Sequence, residues 1–416
     1  MKTIRRGQLE LLRKDLQRKE ITLLVGPRQA GKTTLMKQLQ QELLARKVAV
    51  LYLNMDIESD AAYLQSQQTL LNKIRLELGD TGYVFIDEIQ RKTDAGLYFK
   101  GLYDMDLPYK FLLSGSGSIE LKEKIGESLA GRKLIVPVDT ISFEEFVDYR
   151  TDYKYTGRLD LFLSLEKEKG DFLLQEYLAC GGYPAVVTAP TMEDKVRVMD
   201  EIYSAYVTRD ISSLLGRQQP EYYSRMLRLL AAGAGGLVNV SRLASDTGLS
   251  VPTIHKYLWY AENTFILKAL RPYSGNRLKE IVKAPVYYFT DLGFRNYMLG
   301  SFQYNSGVRD GFGFQNFIFR ILNKSLRNSA ATLHYWRTTD GAEVDFVIDR
   351  TQEIIPVEVK YTDLKTTTLS RSFRNFVEKY CPRRAFVVNL SYKDELKLGD
   401  TLVRFVPYYL LEEMLG

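Results

Sequence analysis

Two glycines and a lysine–threonine pair stand at the spacing G-x-x-x-x-G-K-T between Gly26 and Thr33. The residues before them, 21–25, are apolar and partly β-branched, and residues 35–39 after them have a helical pattern. A strand, a glycine-bearing loop and a helix in this order are typical of a phosphate-binding loop. Glycine allows backbone conformations that are closed to residues with a Cβ. The loop amides and the start of the helix would then point donors and positive dipole at phosphate.

The same residues predict a site for ATP with Mg²⁺. Lys32 would place a point charge on the β- and γ-phosphates, and the Thr33 hydroxyl would be a ligand of Mg²⁺. Arg28 would either touch phosphate or cap carbonyls of the loop. The alternative, a glycine turn that happens to precede a lysine, fits the flanking strand and helix less well. The predicted nucleotide-binding residues are Gly26, Pro27, Arg28, Gln29, Ala30, Gly31, Lys32, Thr33 and Thr34.

A pair of acids ends another apolar run, residues 83–86. In this position Asp87 would hold Mg²⁺, through water, and Glu88 would polarise an attacking water molecule. An acidic strand end is often only a solvated terminus, but the phosphate-binding loop upstream favours catalysis. We therefore predict that Asp87 and Glu88 act with Lys32 in ATP hydrolysis.

Two further candidates have less specific signals. Ser114 and Ser116 follow the apolar run 109–113, where a hydroxyl would orient water or sense the γ-phosphate. A plain serine–glycine loop explains them equally well. Arg132 is a candidate cation for the γ-phosphate, in cis or across a subunit boundary, although a solvated arginine is the commoner finding at such spacing.

Strands and helices in alternation must position these residues. Near-continuous apolar strands separated by helices predict an α/β fold, with a parallel sheet covered on both faces. In such sheets ligands collect at the carboxyl ends of the strands. The candidate residues Gly26, Asp56, Asp87 and Ser114 all fall at such ends, which predicts one site in a first domain, residues 1–150. The apolar runs are residues 21–25, 48–53, 83–86, 109–113 and 133–138.

Composition limits the other kinds of site. A chain of 416 residues suggests two to three domains, and 45% hydrophobic with 26% charged residues is ordinary for a globular protein. The formal charge of +6 is compatible with nucleic acid without demanding it. The two cysteines, Cys180 and Cys381, support neither a disulfide framework nor a zinc ribbon. The two histidines, His255 and His334, argue against a histidine metal site or a Ser-His-Asp triad.

The chain start and the distribution of apolar residues predict a cytoplasmic protein. Residues 1–6 lead into a charged helical pattern and lack the apolar core of a signal peptide. Nowhere do about 18 apolar residues run together, so we expect no insertion into a membrane. The oligomeric state is left open.

Residues 151–235 have a mostly helical pattern and are predicted to form a connector or lid. Residues 236–300 contain a helix-turn-helix pattern, with Ser241 and Ser250 as N-caps and Gly248 at the turn. Two apolar runs, residues 264–271 and 286–289, follow the helices and are predicted to pair as a wing.

The helix-turn-helix pattern suggests DNA or RNA as a partner. Its second helix, residues 251–260, would enter the major groove but is poor in Arg, Asn and Gln, the usual readers of base edges. Contact with phosphate, a purely structural winged helix and a protein partner therefore stay open. The basic side chains of this region are Arg242, His255, Lys256, Arg271, Arg277, Lys279 and Lys283.

Residues 301–416 begin with a predicted helix, 314–326, followed by strands with Asp340-Gly341 as a hairpin turn. Alternation places Glu343 with Asp345 on one face of a strand, and Glu358 with Lys360 on one face of the next. Two acids and a lysine brought together in this way could hold a divalent metal against a scissile phosphate. Amphipathic strands with solvated salt bridges are the commoner source of the pattern. A possible second site therefore comprises Asp345, Glu358 and Lys360.

Taken in order, these motifs resemble those of prokaryotic ATPases of the AAA superfamily, whose C-terminal region combines a winged helix with a restriction-endonuclease-like α/β fold. The resemblance covers nearly the whole chain. It implies an AAA-type P-loop NTPase fold, the ATPase roles described for Lys32, Thr33, Asp87 and Glu88, and a D…E-x-K nuclease core in the last domain. The matching segments are GPRQAGKTTL, FIDEIQR, LLSGSGSIEL, ESLAGRKLIVPV with ISFEEF, CGGYP, VNVSRLASDTGLSVPTIHKYL, YYFTDLGFRN, and GAEVDFVID with PVEVKY.

One departure from that family concerns nuclease activity. The family often has a glutamate in a G-x-x-F-E-N pattern, where this chain has Gln315 followed by Asn316. A glutamine supplies no negative charge to a metal, which weighs against nuclease activity and leaves a binding module as the alternative for the last domain. Three functions follow: a Mg²⁺-dependent ATPase coupled to the C-terminal domains, an ATP-regulated nuclease, and a nucleotide-switched binding or signalling protein with little turnover.

Overall fold

A computed structural model of the chain describes residues 3–116, 128–212, 220–274, 284–302 and 310–415. The wing residues Arg277, Lys279 and Lys283 and the side chain of Ser116 lie outside the described part. Within the described ranges, no helix is both long enough and apolar enough to cross a membrane.

Five parallel strands form the first sheet, in the order β5-β1-β4-β3-β2. Its strands are β1 (Ile21–Gly26), β2 (Val50–Asn54), β3 (Gly82–Asp87), β4 (Tyr109–Ser116) and β5 (Lys133–Pro137). Each predicted apolar run lies on one of these strands, and all of β1 is buried, as expected for a sheet covered on both faces. The α/β fold of a P-loop NTPase is confirmed. The helices of this part are α1 (Gln8–Asp15), α2 (Lys32–Ala45), α3 (Glu58–Tyr63), α4 (Gln67–Leu78) and α5 (Ala95–Asp104), with a 3-10 turn at Ile89–Arg91.

A helical region follows β5, as the sequence predicts. Its first helix is fixed by a capping box, in which Ser142 and Glu145 each bind the other's backbone amide. The CGGYP segment forms a turn, since Gly181 ends a helix with φ +72° and Pro184 opens the next. The elements are α6 (Phe143–Arg150), α7 (Leu159–Leu165), α8 (Lys167–Cys180), α9 (Pro184–Thr188), α10 (Met192–Ala205), a π-helix (Tyr206–Ile211) and α11 (Pro220–Ala232).

The helix-turn-helix pattern corresponds to α12 (Val240–Thr247) and α13 (Val251–Asn263). Gly248 makes the turn with φ +75°, and the Ser250 side chain caps α13 through the amide of Thr253. The prediction of Ser241 as the other N-cap is wrong, because Asn239 holds that place and accepts from the amide of Arg242 at 2.9 Å. Asn is as good a cap as Ser, so composition alone did not separate the two.

The second sheet has eight strands, in the order β12-β13-β11-β10-β9-β8-β6-β7. The predicted wing strands do pair antiparallel with each other, but they also extend this sheet. Arg271 pairs with His334 and Pro272 with Tyr335 in parallel register. The strands are β6 (Leu267–Pro272), β7 (Val286–Phe289), β8 (Thr332–Arg337), β9 (Glu343–Asp349), β10 (Ile354–Val359), β11 (Arg384–Asn389), β12 (Asp394–Leu398) and β13 (Thr401–Pro407).

β6 and β7 lie before residue 300 and share one sheet with the strands beyond it, so the two predicted domains on either side of that boundary are joined by a common sheet. The predicted hairpin turn is confirmed at Gly341, which has φ +83°. The remaining elements are α14 (Leu292–Met298), α15 (Gly311–Ser325), α16 (Arg371–Tyr380), a 3-10 turn (Tyr408–Leu410) and α17 (Leu411–Leu415).

Aromatic side chains join the helical region to the second sheet. The ring of Phe143 on α6 lies 5.5 Å from Tyr177, 5.6 Å from Phe317 and 5.8 Å from Tyr408, measured between centroids. All four side chains belong to one buried cluster. Because edge-to-face rings pack with defined geometry, this cluster fixes α6 and α8 against α15.

Candidate functional site

The phosphate-binding loop between β1 and α2 needs its two glycines for different reasons. A Cβ on Gly26 would lie 2.0 Å from the backbone oxygen of Val138, so only glycine lets these two chain segments pass. Gly31 has φ +98° and precedes the first residue of α2. Gln29 also has a positive φ, of 61°, which completes the curved path of the loop.

Lys32 is buried and its ammonium group is held inside the loop. The Nζ atom donates to the backbone oxygens of Gly26, at 3.0 Å, and Pro27, at 2.7 Å. Among the described residues no side chain caps the start of α2, which leaves its first amides available to an anion. The carbonyls of the loop therefore hold the Lys32 ammonium group close to the place where a bound phosphate would lie.

The carboxylate of Asp87 is the centre of the site. It is 1% exposed at the end of β3. Its Oδ2 atom accepts from the hydroxyl of Thr33 at 2.7 Å and from the hydroxyl of Tyr52 at 2.9 Å. Its Oδ1 atom accepts from the hydroxyl of Ser114 and from the amide of Glu88 at 3.1 Å. The structure thus brings the ends of β2, β3 and β4 to the start of α2, as the sequence predicts.

The donor set fits Mg²⁺, which prefers hard oxygen ligands such as a hydroxyl and a carboxylate. Thr33 and Asp87 are the residues that would hold it. Tyr52 was not predicted. Burial, together with the negative charge of Asp87, raises the pKa of the Tyr52 phenol, so this hydroxyl keeps its proton and stays a donor. Its only sequence signal is its position two residues before the end of an apolar strand.

Glu88 follows Asp87 in the left-handed region, with φ 58°. Such a conformation is uncommon for a residue with a side chain and turns the chain sharply after the strand. The carboxylate accepts a hydrogen bond from the side chain of Gln90. Glu88 therefore lies beside Asp87 with its carboxylate oriented by a neutral donor, an arrangement suited to a base.

Two other predicted residues form ion pairs with residues outside the loop. Asp56 forms an ion pair with Arg91. Arg132 lies at the amino ends of the strands, opposite to the loop, because its backbone oxygen accepts from the amide of Ile21, the first residue of β1, at 2.9 Å. The amino end of β1 is ~17 Å from Gly26 along the strand. The Arg132 side chain pairs with Asp104 at 2.8 Å.

The structure therefore does not bring Arg132 to the phosphate-binding loop of its own chain, which corrects the prediction of a role in cis. A role across a subunit boundary stays a prediction. Arg28 is half-buried within the loop.

A buried arginine, Arg6, braces the loop from the N-terminal segment. Its Nη1 atom donates to the backbone oxygen of Ala30 at 3.1 Å, and its Nη2 atom to that of Asp139 at 2.6 Å. Its Nε atom lies 3.2 Å from the carboxylate of Glu145. No local motif marks Arg6, since its partners are 24 or more residues away in the chain.

The possible second site is assembled, but without the charge that a metal needs. Gln315 donates to Asp345 Oδ1 and the amide of Val359 donates to Asp345 Oδ2, both at 2.7 Å. Lys360 pairs with Glu358 Oε1 at 2.7 Å, while Glu358 Oε2 is buried and has no hydrogen-bond partner among the described residues. Burial raises the pKa of Asp345 to about 7; the Val359 amide opposes the shift and the charge of Glu358 adds to it.

Within the described ranges, no three His, Cys, Asp or Glu side chains come close enough to hold a metal ion. Both oxygens of Asp345 already accept hydrogen bonds, and Gln315 presents a donor where a metal would need a ligand. The residues present do not fit a divalent metal in this arrangement.

The exposed face of α13 carries few readers of bases, as predicted. Val251, His255, Lys256 and Trp259 are exposed along it. Arg242 on α12 is exposed and lies 3.6 Å from the carboxylate of Asp246. One cation and one indole are suited to phosphate contact and stacking rather than to hydrogen-bond readout of sequence.

Comparison with known proteins finds similarity to known families over separate parts of the chain. Residues 18–147 match the family described as AAA domain, and residues 171–305 and 310–411 match two domains of unknown function, DUF8612 and DUF4143. An uncharacterized protein of Mycobacterium tuberculosis is 27% identical over 404 residues, covering 96% of this chain and 82% of that protein. An uncharacterized protein of Haemophilus influenzae is 23% identical over 404 residues, covering 94% of each.

Among solved structures, the Aeropyrum pernix ORC1 protein in complex with DNA aligns with a TM-score of 0.32 and 12% identity, covering 71% of this chain and 91% of that chain. The sheet order, the geometry of the loop and the family match agree for the first part of the chain. Residues 18–147 have the P-loop NTPase fold and are similar to the family described as AAA domain.

Proposed function

We propose that the chain is a Mg²⁺-dependent ATPase that couples hydrolysis to its C-terminal helix-turn-helix and eight-stranded sheet. One observation carries the proposal: the Asp87 carboxylate meets the hydroxyls of Thr33 and Ser114 beside the phosphate-binding loop. These groups come from three separate elements. A merely solvated acidic strand end would not be 1% exposed with four donors around it.

The residues divide the work of hydrolysis as follows. Lys32 exchanges its two loop carbonyls for phosphate oxygens, and the amides at the start of α2 bind the same phosphates. Thr33 and Asp87 hold Mg²⁺, which supplies positive charge to the phosphates when bound. Glu88 accepts the proton of the attacking water. The Ser114 hydroxyl, which donates to Asp87, holds the end of β4 beside this water.

The first test is a pair of substitutions in the loop and the acidic pair. Lys32→Ala should abolish ATP binding and turnover. Glu88→Gln should abolish turnover but keep ATP binding, because it removes the base and not a phosphate contact. Lys37→Ala, on the exposed side of the same helix, is the matched control. Unchanged hydrolysis in Lys32→Ala would refute the site, and tight binding with negligible turnover in the unaltered protein would favour a nucleotide switch.

For the partner we propose nucleic acid, with Lys256 and Trp259 as contacts. The ATPase rate should rise when DNA or RNA is added, and the effect should weaken as salt increases, because phosphate contacts release counterions. Lys256→Ala combined with Trp259→Ala should reduce the stimulation without changing the basal rate. Stimulation by cell extract that survives nuclease treatment would indicate a protein partner in place of nucleic acid.

A nuclease is the second candidate function. The observation that favours it is the buried Glu358 Oε2 atom beside Asp345 and Lys360, which finds no hydrogen-bond partner in the part of the chain that the structure describes. The amide of Gln315 at Asp345 weighs against it. Incubation of DNA or RNA with Mg²⁺ or Mn²⁺ is the test, since a nuclease at this site would give cleavage that Lys360→Ala abolishes. No cleavage, or cleavage that this substitution leaves unchanged, would rule the nuclease out.

A further inference from the structure

Four of the five residues between β5 and α6, here called the linking segment (residues 138–141), lie directly behind the phosphate-binding loop. The amide of Val138 donates to the oxygen of Val25 at 2.7 Å, which continues the pairing of β5 with β1. Val138 also presents its oxygen to Gly26, at a place where a Cβ would stand 2.0 Å away. Because no atom fits between them, the start of the loop moves with the linking segment.

Arg6 ties the linking segment to the far side of the same loop. One guanidinium nitrogen donates to the oxygen of Ala30 within the loop, and another donates to the oxygen of Asp139. The Arg6 side chain is 5% exposed and its charge is balanced by Glu145 of α6. A planar guanidinium that donates in two directions fixes the distance between its acceptors. Arg6 thus sets how far Ala30 lies from Asp139.

The linking segment is held from the other side by α15, the first helix of the C-terminal block (residues 310–415). Arg327, just after this helix, donates to the carboxylate of Asp139 at 2.7 Å. Arg320 on the helix donates to the hydroxyl of Thr140 at 2.8 Å. The same helix carries Gln315, which binds Asp345 of the second sheet. One rigid helix therefore connects Asp345 of the second sheet to the linking segment behind the phosphate-binding loop.

Ile141 completes the set of contacts. Its amide donates to the oxygen of Gly182 at 2.7 Å, and its oxygen accepts from the hydroxyl of Tyr177 at 2.6 Å. Gly182 in turn donates its amide to the carboxylate of Asp291 at 2.8 Å. All four residues of the linking segment are thus fixed by partners, and two of the partners, Arg320 and Arg327, come from beyond residue 310.

We propose that Arg6 and Arg327 are positioning residues of the ATP site. They act through the linking segment, so that the placement of the C-terminal block controls the geometry of the phosphate-binding loop. The inference rests on the proposed ATPase function and adds its regulation. A partner that shifts α15 moves Asp139, and Asp139 moves Arg6 and Ala30. Such coupling needs packed elements in contact, and the contacts run without a gap from Gln315 to the loop.

The strength of the ion pair between Arg327 and Asp139 indicates how large the effect on nucleotide affinity should be. The pair of Arg327 with Asp139 is partly open to solvent, with side-chain exposures of 29% and 42%, so it adds little to overall stability. Its contribution to coupling is separate from that to stability. Mutations along contact networks change coupling by roughly 2- to 30-fold in an equilibrium or rate constant. Arg327→Ala should therefore leave the protein folded and change nucleotide affinity within that range.

The first experiment compares Arg327→Ala with Arg404→Ala in the full chain. Arg404 also pairs with a carboxylate at 2.8 Å, that of Glu395, but on the outer strands β12 and β13. We expect Arg327→Ala to weaken ATP binding and raise KM by a factor within that range, whereas Arg404→Ala stays at the wild-type values. Equal effects of the two substitutions, or none from either, would overturn the proposal.

A charge exchange separates positioning from a general structural effect. Arg327→Asp alone repels Asp139, and Asp139→Arg alone repels Arg327, so each should weaken ATP binding. The double variant restores an opposite pair with its sign reversed and should recover most of the affinity. Recovery would assign the effect to the ion pair, because exchanging the charges restores the pair but does not repair lost packing. Absence of any recovery would show that the pair does not transmit position.

Hydrogen exchange of the amides of residues 26–34, without nucleotide, tests the coupling independently of ATP hydrolysis. Arg327→Ala should speed exchange in this range by roughly 2- to 30-fold, and Arg404→Ala should not. If the protein proves to be no ATPase while this exchange still responds to Arg327→Ala, the proposed function fails but the coupling stands. If ATP is hydrolysed and the exchange is unchanged, the coupling is wrong and the function stands.

Discussion

At the scale of single residues, the hydroxyl of Tyr52 distinguishes this site from a bare loop and acidic pair. Thr33 and Tyr52 donate to the same oxygen of Asp87. When Thr33 turns toward a metal, Tyr52 still holds the carboxylate in place. A hydrogen bond from a neutral donor to a charged group is worth about 1.5–3 kcal/mol, enough to matter for a metal ligand.

Tyr52→Phe should therefore raise the Mg²⁺ concentration needed for half-maximal ATPase activity, on the order of 10-fold. ATP binding without Mg²⁺ should hardly change, since the phenol contacts no predicted phosphate-binding residue. Titration of the ATPase rate with Mg²⁺ measures this. Tyr98→Phe is the control, because that hydroxyl also donates to an oxygen, the backbone oxygen of Ser66, but away from the loop. Equal Mg²⁺ requirements in wild type and Tyr52→Phe would contradict the assignment.

Lys110, at the other end of the strand that carries Ser114, is a second residue with a measurable consequence. It is 8% exposed and donates to the backbone oxygen of Glu20. Burial lowers the pKa of its ammonium group to about 8, while Asp15 and Glu20 oppose the shift. Below pH 8 the lysine is charged in the folded and unfolded chain alike, so the cost of burying the charge is fully present at pH 7.

As the pH rises above 8, the folded protein loses this proton before the unfolded chain does, and stability should rise. Lys110→Met should raise the free energy of unfolding by about 2 kcal/mol at pH 7, after allowance for the lost hydrogen bond. The gain should shrink at pH 9.5. Denaturant titrations at the two pH values measure it, with the exposed Lys37→Met as control. A gain that is the same at both values would rule out this cause.

At the scale of elements, the sequence predicted what depends on local spacing. The five strands of the first sheet, the loop and the meeting of Thr33, Asp87 and Ser114 follow from apolar runs and from the rule that parallel strands share one ligand edge. Arg6 and Tyr52 were missed because their roles arise only when distant segments pack. The prediction for Arg132 in cis was wrong because this residue comes directly before a strand. It therefore lies at the amino ends of the strands, opposite to the ends where ligands bind.

The second sheet shows the same limit. The pairing of β6 with β7 was predicted from two apolar runs close in the chain. The parallel pairing of β6 with β8 was not, because no residue of β6 specifies its partner across that distance. Asn239 and Ser241 are a smaller case, since either residue type caps a helix and only the backbone decides between them.

Gly182 gives a prediction at this scale. A Cβ there would stand 2.2 Å from the oxygen of Ile141, which is backbone and has no room to yield. Gly182→Ala should separate α9 from the linking segment and lower the free energy of unfolding by about 1–3 kcal/mol. Thermal unfolding measures it. Gly311→Ala is the control, since a Cβ at Gly311 meets no atom within 4 Å. Similar melting temperatures for the two variants would contradict the packing described.

At the scale of the whole molecule, the second sheet binds the region around the helix-turn-helix to the end of the chain. Tyr288 of β7 stacks on Phe319 of α15 with centroids 4.4 Å apart, and both belong to the same buried cluster as Leu270. The parts matched by separate families therefore share one core. Motion of the first domain relative to these parts is expected to pass through the linking segment, whereas no motion is expected within this sheet.

A chain cut at residue 300 tests this unity. Residues 1–300 alone would expose β6 as an unpaired edge and leave Leu270 and Tyr288 without their apolar partners, so they should aggregate. Production of residues 301–416 in the same cells should restore a soluble complex. Size-exclusion chromatography of both preparations decides the matter. A monodisperse, folded 1–300 fragment would show that the boundary at 300 separates two independent units after all.

The parallel pairing of β6 with β8 also has a consequence for the newborn chain. About sixty residues separate the end of β6 from the start of β8, and at roughly 5–20 residues per second the ribosome needs about 3–12 s to supply them. During that interval the first domain has left the ribosome and is able to fold, whereas β6 and β7 wait as an apolar hairpin with an open edge. Slowed translation over residues 290–330 should therefore lower the yield of soluble protein more than an equal delay within the first domain.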